Sequence, residues 1–431
     1  MPASPDEPAA PRPSPPRITR GEWALILVLV AIHFTHMVDF VIVMPLGQRF
    51  MDELQIGEGE FAWLVSVYAL AAGLASFGGS LVMDRFDRKA VLLTMYGGFA
   101  VSTLFCGLAW NYPSLVAART AAGVCGGLAA VTIMAVIGDL FPPEKRGRAV
   151  GAITSAFAVA SIVGIPLGLM LTELYGRGAA FLALGGFSVL VWAVAAVRLP
   201  RVRGHLAHER GHPLSEFAAV VREGNHQRAF VFTFFLVLGT FTVGSFSAPY
   251  LSATNGWTED DLALIYGVSG VCTLIGMNVV GRLADRYPRL GLFRVLGGIT
   301  ILATLAMAFL PPCPIWVATL VLSAFMVFSA GRIVPAQAML LGTARPQVRG
   351  AFMSLNTAVQ HLGSAAAPLL AAVFMTRTNG KLEGFGTVGL VGAGCAVVSL
   401  ILAGTLRAAA VPATPQPEPR PESEPEPVVA A

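Results

Sequence analysis

Residues 23–47 read WALILVLVAIHFTHMVDFVIVMPLG. A helix crossing lipid hydrocarbon needs about 20 consecutive apolar residues, and this stretch supplies them. Three ionisable side chains interrupt it: His33, His36 and Asp39. A carboxylate at the centre of a membrane helix costs about 2.5–3.5 kcal/mol on insertion scales. Such a group marks a place where function or a compensating partner outweighs that cost.

The rest of the chain has the same character. It has 431 residues, of which 55% are hydrophobic and 13% charged, and its mean hydropathy is +0.69. Soluble domains carry about 25% charged residues, so the composition describes a polytopic membrane protein. Apolar runs long enough to span recur at 23–46, 61–83, 90–109, 113–138, 149–172, 178–197, 229–252, 262–281, 291–310, 314–342, 350–375 and 384–406. Twelve helices are therefore expected. The first run has no small-residue cleavage site and reads as a retained helix. Residues 1–21 are rich in Pro, and 409–431 alternate Pro with Glu. Neither stretch can bury a core, so both read as disordered tails.

Basic residues fall in alternate connections: Arg85, Arg88 and Lys89; Lys145, Arg146 and Arg148; the 199–227 stretch; Arg282, Arg286 and Arg289; Arg345 and Arg349. The other side has Arg49, Arg177, Arg377 and Lys381. The positive-inside rule places both termini and the basic loops in the cytoplasm. The 199–227 stretch is the one long polar interruption and divides residues 22–198 from 228–408, six helices each. The halves echo each other: GSLVMDRFDRK (79–89) follows the second run and GRLADRYPR (281–289) the eighth. Parallel repeats of this kind put a binding site between them near the midplane.

With these features the chain resembles the major facilitator superfamily over nearly all of residues 22–408. The family signature G-x-L-a-D-R-x-G-R-R/K is matched at Asp84, Arg85, Arg88 and Lys89, and departed from at Ser80, Val82 and Asp87. The second copy matches at Gly281, Leu283, Asp285 and Arg286. The resemblance implies that these Asp and Arg side chains latch the cytoplasmic helix ends in one transport state. Arg119 and Gly123 resemble the R-x-x-q-G pattern of proton-coupled members, with alanine at 122. Gly164-x-Pro166-x-Gly168 resembles the antiporter motif of drug and sugar efflux members. The missing proline N–H bends the helix, and the glycines permit close approach.

His33, His36 and Asp39 are three residues apart in sequence and so form a stripe on one helix face. A similar Asp before an apolar run and PLG occurs in the drug:proton branch, making Asp39 the first candidate for the titrating carboxylate. Burial and a neighbouring cation act oppositely on a carboxylate's proton affinity. A conformational change that alters both would link proton binding to transport. His36 and His33 are candidate relays, since imidazole titrates near neutrality, and Arg119 is a candidate partner or tuner. Arg332, Gln337, Asn356, Gln360 and His361 are polar at membrane depth and are candidate substrate contacts; interhelical hydrogen bonding is the alternative.

The expected function is proton-coupled export of a small organic molecule, drug or sugar-like, by alternating access. Partners would be the substrate, protons and the lipid bilayer of a bacterial plasma membrane, not nucleic acid. Uptake by symport or uniport is the alternative within the class, and a transporter-like receptor or intramembrane enzyme lies outside it. Against the enzyme, DRFD (84–87) is crowded by basic residues and EDD (259–261) stands alone. The chain also lacks H-E-x-x-H, a nucleophile elbow and a Walker A loop. The five scattered cysteines show no metal or disulfide spacing, so neither a cofactor nor a metal is expected.

Overall fold

The computed structural model describes residues 18–203, 213–345, 348–378 and 381–409. The tails at 1–17 and 410–431, and the 204–212 part of the central connection, lie outside the described residues.

Seventeen α-helices follow in chain order among the described residues. They are α1 (Arg20–Ile42), α2 (Gly47–Leu54), α3 (Glu58–Val82), α4 (Arg88–Leu108), α5 (Tyr112–Leu140), α6 (Pro143–Thr154), α7 (Ala156–Val159), α8 (Ile165–Tyr175) and α9 (Ala179–Arg198). After the central connection come α10 (Pro213–Arg222), α11 (Gly224–Asn255), α12 (Glu259–Arg286), α13 (Arg289–Ala308), α14 (Ile315–Gly331), α15 (Ile333–Thr343), α16 (Arg349–Ala372) and α17 (Phe385–Ala403). Thr376–Thr378 and Lys381–Glu383 pair as a two-stranded antiparallel hairpin before α17, an element the apolar pattern did not signal.

Eleven segments of the described residues are long and apolar enough to span a membrane. Two of them are composite: α6 to α8 form one interrupted crossing, and α14 with α15 another. α16 is the twelfth long helix. Asn356, Gln360 and His361 dilute its apolar character, yet it packs tightly against α3 and α11. The first six crossings contact one another through α3–α5, α4–α5 and α4–α9. The last six do so through α11–α16, α11–α17 and α12–α14. The two sets meet where α3 lies on α16 and α8 on α12.

Helix ends follow local chemistry. Thr19 and Glu22 form a reciprocal capping box at the start of α1, and Thr258 and Asp261 do the same for α12, satisfying amides that have no intrahelical acceptor. Asp87, which departs from the signature glycine, caps α4: its Oδ1 accepts from the Lys89 N–H at 2.9 Å. It also accepts from Arg203 Nε at 2.9 Å. Partial burial pushes its proton affinity up, but the bonds from Arg203 and from the Lys89 and Val202 amides outweigh that and hold its carboxyl below the usual range. Asp87→Ala is expected to cost about 1 kcal/mol, the usual worth of such a cap, read as a lower thermal midpoint in detergent.

The central connection is not all loop. α10 packs against α11 and α16, with Val220 buried at that junction.

Candidate functional site

Asp39 and Arg119 are both fully buried, at 0% exposure. α1 and α5 bring them together across 80 residues of sequence. Arg119 Nη1 donates to Asp39 Oδ2 at 2.7 Å and to the Asp39 backbone oxygen at 2.9 Å. Thr103 of α4 donates to Oδ1 at 3.5 Å. Tyr68 of α3 lies under the guanidinium, its ring centroid 4.3 Å from Arg119 Cζ. A cation over an aromatic face is attracted by the ring quadrupole. Arg119 Nε and Nη2 have no hydrogen-bond partner among the described residues.

The same tyrosine continues the network. Its hydroxyl is 2.7 Å from His36 Nδ1, and the His36 and His33 rings are 5.9 Å apart. His36 is buried, and His33 Nδ1 has no hydrogen-bond partner among the described residues. Gly126 of α5 makes this possible. A Cβ there would sit 2.6 Å from His36 Nδ1 and 2.9 Å from the Tyr68 hydroxyl. One continuous set, Asp39–Arg119–Tyr68–His36–His33, therefore runs through the interior of the first six crossings. Tyr68 and Thr103 were not legible in sequence, because a tyrosine or threonine inside an apolar helix usually packs or bonds to its own helix.

The candidate substrate contacts are dispersed. Arg332, at the junction of α14 and α15, is 1% exposed. Its Nη2 donates to Thr240 Oγ1 at 2.7 Å and to the Leu236 carbonyl at 3.3 Å. Asn356 is fully buried and accepts from Thr233 at 2.7 Å, which is interhelical bonding between α16 and α11. His361 packs its side chain over Gly73 of α3. Gln337 and Gln360 are half-buried. None of these five is among the residues lining a sizeable apolar cavity.

That cavity, of about 310 Å³, lies between the two sets of crossings. Val41 and Met44, Phe157 and Ile165, Phe241, Tyr266, and Phe325 and Met326 form most of its wall. Thr154, Ser161, Thr240, Ser247, Thr273 and Ser329 also line it, and among the described residues no Asp, Glu, Lys, Arg or His does. Apolar walls with a few placed polar groups are the usual form of a small-molecule site.

The Gly164-x-Pro166-x-Gly168 stretch borders this cavity. Residues Ala160–Gly164 form a π-helical turn between α7 and α8, a local widening that accommodates a proline without an N–H. Gly164 lies against Val38 and Gly168 against Ile42, both on α1, so this crossing and α1 approach closely. On the opposite side, a Cβ at Gly270 of α12 would be 2.9 Å from the Ile162 nitrogen. The π turn thus touches both halves.

The signature residues sit on the face where α1 begins and α17 ends. Arg88 is buried and pairs with Asp139 of α5 at 3.1 Å, while Arg85, Asp285 and Arg286 are exposed and Gly281 is half-buried. The Asp84 side chain lies outside what the structure describes. Ion pairs between the halves occur on the opposite face. Arg49 Nη1 is 3.1 Å from Glu259, and Arg377 Nη1 is 2.8 Å from Asp52. Arg49 also pairs with Glu53 at 2.7 Å. Among the described residues, no group of three or more His, Cys, Asp or Glu could hold a metal.

The Major Facilitator Superfamily model matches residues 29–368. The uncharacterized MFS-type transporter YceJ of Bacillus subtilis (strain 168) is 25% identical over 367 residues, 84% of this chain and 92% of its own. The chloramphenicol resistance protein of Streptomyces lividans is 26% identical over 375 residues, 84% of this chain and 91% of its own. Among solved structures, a bacterial homolog of the human lysosomal transporter Spinster, inward-facing and occupied, superposes with a TM-score of 0.71. It covers 90% of this chain and 97% of its own at 16% identity, a likeness of fold.

Proposed function

The chain belongs to the major facilitator superfamily, and from that premise we propose that it exports a small organic molecule in exchange for protons. The observation that carries this reading is the Asp39–Arg119 pair, 2.7 Å apart and fully buried. A bare ion pair in a membrane interior gains little net stability over an apolar packing, so its retention favours a working role. Asp39 is the proton-carrying group, and Arg119 holds it while the site is empty of protons. Tyr68 and His36, hydrogen-bonded at 2.7 Å, with the His33 ring beyond them, form the extension along which a proton reaches Asp39. The relative that confers chloramphenicol resistance supports the outward direction.

Alternating access supplies the movement. The Arg49–Glu259 and Arg377–Asp52 pairs hold the halves together on the face away from the termini. The signature loops with Arg85, Arg88, Asp285 and Arg286 engage on the termini face in the other state. In the plasma membrane with both termini cytoplasmic, protons would enter as substrate leaves.

The test is proton movement in inside-out vesicles. A respiration-driven pH gradient is monitored by a fluorescent dye while candidate substrates are added. One compound class is expected to dissipate the gradient through the wild type and not through Asp39→Asn. Full proton-coupled flux in Asp39→Asn removes Asp39 from the mechanism. Accumulation of the compound with protons moving in the same direction would make the protein a symporter.

A further inference from the structure

We propose that Arg332 anchors the carboxylate of an amphipathic organic anion whose apolar body fills the cavity between the halves. This rests on the transporter reading above and names its substrate class.

The two buried arginines are treated differently by the fold. Arg119 faces Asp39. Arg332 is as deeply buried, yet no ion pair joins it to a carboxylate among the described residues, and its Nε and Nη1 have no hydrogen-bond partner. A guanidinium does not lose its proton in proteins, so this charge cannot be removed by titration. An uncompensated buried charge is strongly unfavourable, and a structure that keeps one has a place for an anion.

That place adjoins the cavity. Ser329, Ala330 and Ile333, flanking Arg332 in sequence, all line it. So does Thr240, whose hydroxyl Arg332 grips at 2.7 Å. Ser329 Oγ is itself buried without a hydrogen-bond partner among the described residues. Arg332 lies just behind this wall, bonded to Thr240 and next but two to Ser329, where the lining is otherwise dominated by Phe157, Phe241, Tyr266 and Phe325.

The remaining hydroxyls argue against a sugar. Thr154, Ser161, Ser247 and Thr273 donate to carbonyls three or four residues back, and the Tyr266 hydroxyl is 3.3 Å from Ser247 Oγ, so these protons are not offered to a ligand. A polyol here would bury several hydroxyls without partners, at the desolvation penalty each unpaired group carries. A lipophilic cation finds no carboxylate in the wall, and Asp39 is sealed beneath Arg119. An aromatic or alkyl body with one carboxylate matches both the apolar wall and the unpaired charge.

The test is thermal unfolding of the purified full chain in neutral detergent, with gluconate as the bulk anion. The probes are benzoate, 2-naphthoate and decanoate, each beside its matched alcohol and amine, and chloride alone. At least one carboxylate is expected to raise the midpoint saturably, while its alcohol and amine do not. Arg332→Met is expected to weaken that carboxylate roughly 10- to 100-fold, the worth of one or two charge-assisted hydrogen bonds. Arg332→Lys keeps the charge without the planar fork and is expected to retain part of the effect. Empty Arg332→Met should unfold no lower than the wild type, since an unpaired charge has been removed. The proposal is overturned if chloride alone stabilises as well, if the alcohols match the carboxylates, or if no carboxylate stabilises. It is equally overturned if carboxylates act undiminished on Arg332→Met or, should that variant not fold, on Arg332→Lys. No gradient is involved, so binding without vesicle proton flux would remove the antiport reading and leave this one standing.

Discussion

Arg119→Leu is expected to destabilise the protein by about 3–5 kcal/mol, the cost of breaking a buried pair and leaving its partner uncompensated. Asp39 would keep only the 3.5 Å contact from Thr103. Replacing both partners, Asp39→Leu with Arg119→Leu, should recover most of that loss, because two apolar side chains of similar volume pack where two charges had to be desolvated. Unfolding in detergent gives the double-mutant cycle. A coupling energy well above 1 kcal/mol is expected, since the residues are in direct contact. Additive losses would mean that Arg119 stabilises through Tyr68 and its carbonyl contact, not through the carboxylate. Proton-coupled transport should vanish in both single variants and in the stable double variant. That outcome separates the pair's working role from its structural one.

Gly270→Leu is expected to abolish transport in a protein that still folds. The substituted Cβ would meet the backbone of Ser161 and Ile162 at 2.9 Å, and backbone at a helix crossing cannot move aside as a flexible side chain can. Overpacking of this kind costs about 1–3 kcal/mol. Here the strain falls on the junction between halves rather than within either one. Each 1.4 kcal/mol against this arrangement lowers its population about tenfold relative to one in which α12 and the π turn separate. Gly298 of α13 has open space around its Cβ position, so Gly298→Ala serves as a control expected to transport normally. Accessibility of a cysteine introduced at Ser329 reads the change. An unchanged labelling rate together with normal flux in Gly270→Leu would show that the close crossing is not needed.

The helical architecture was largely legible because apolar length is a local property. A run of about 20 apolar residues has few stable alternatives in lipid, so eleven segments are recognisable by length and composition alone. α16 was the hardest, since Asn356, Gln360 and His361 interrupt it. Its place is secured instead by close contact with α3, where Gly73 leaves room for His361. α10 and the hairpin at Thr376–Glu383 gave no comparable signal, being short and outside the apolar pattern.

The site was legible in its residue types and not in its connections. An arginine and an aspartate inside apolar runs announce a cost that something must offset, and the sequence showed Asp39 and Arg119 at once. It did not show that they meet, because α1 and α5 are brought face to face by packing across 80 residues. Polarity likewise picked out Arg332, Gln337, Asn356, Gln360 and His361. The rotation of each helix about its axis then decided which wall each residue occupies, and the cavity is lined by phenylalanines, methionines and self-bonded hydroxyls instead. The sequence by itself located the apolar runs that form long helices and the charges in the connections between them. Only the tertiary structure decided that Arg119 has a carboxylate while Arg332 has none among the described residues. Local apolarity sets the existence of a membrane helix, but its rotation depends on close packing of small residues against distant segments.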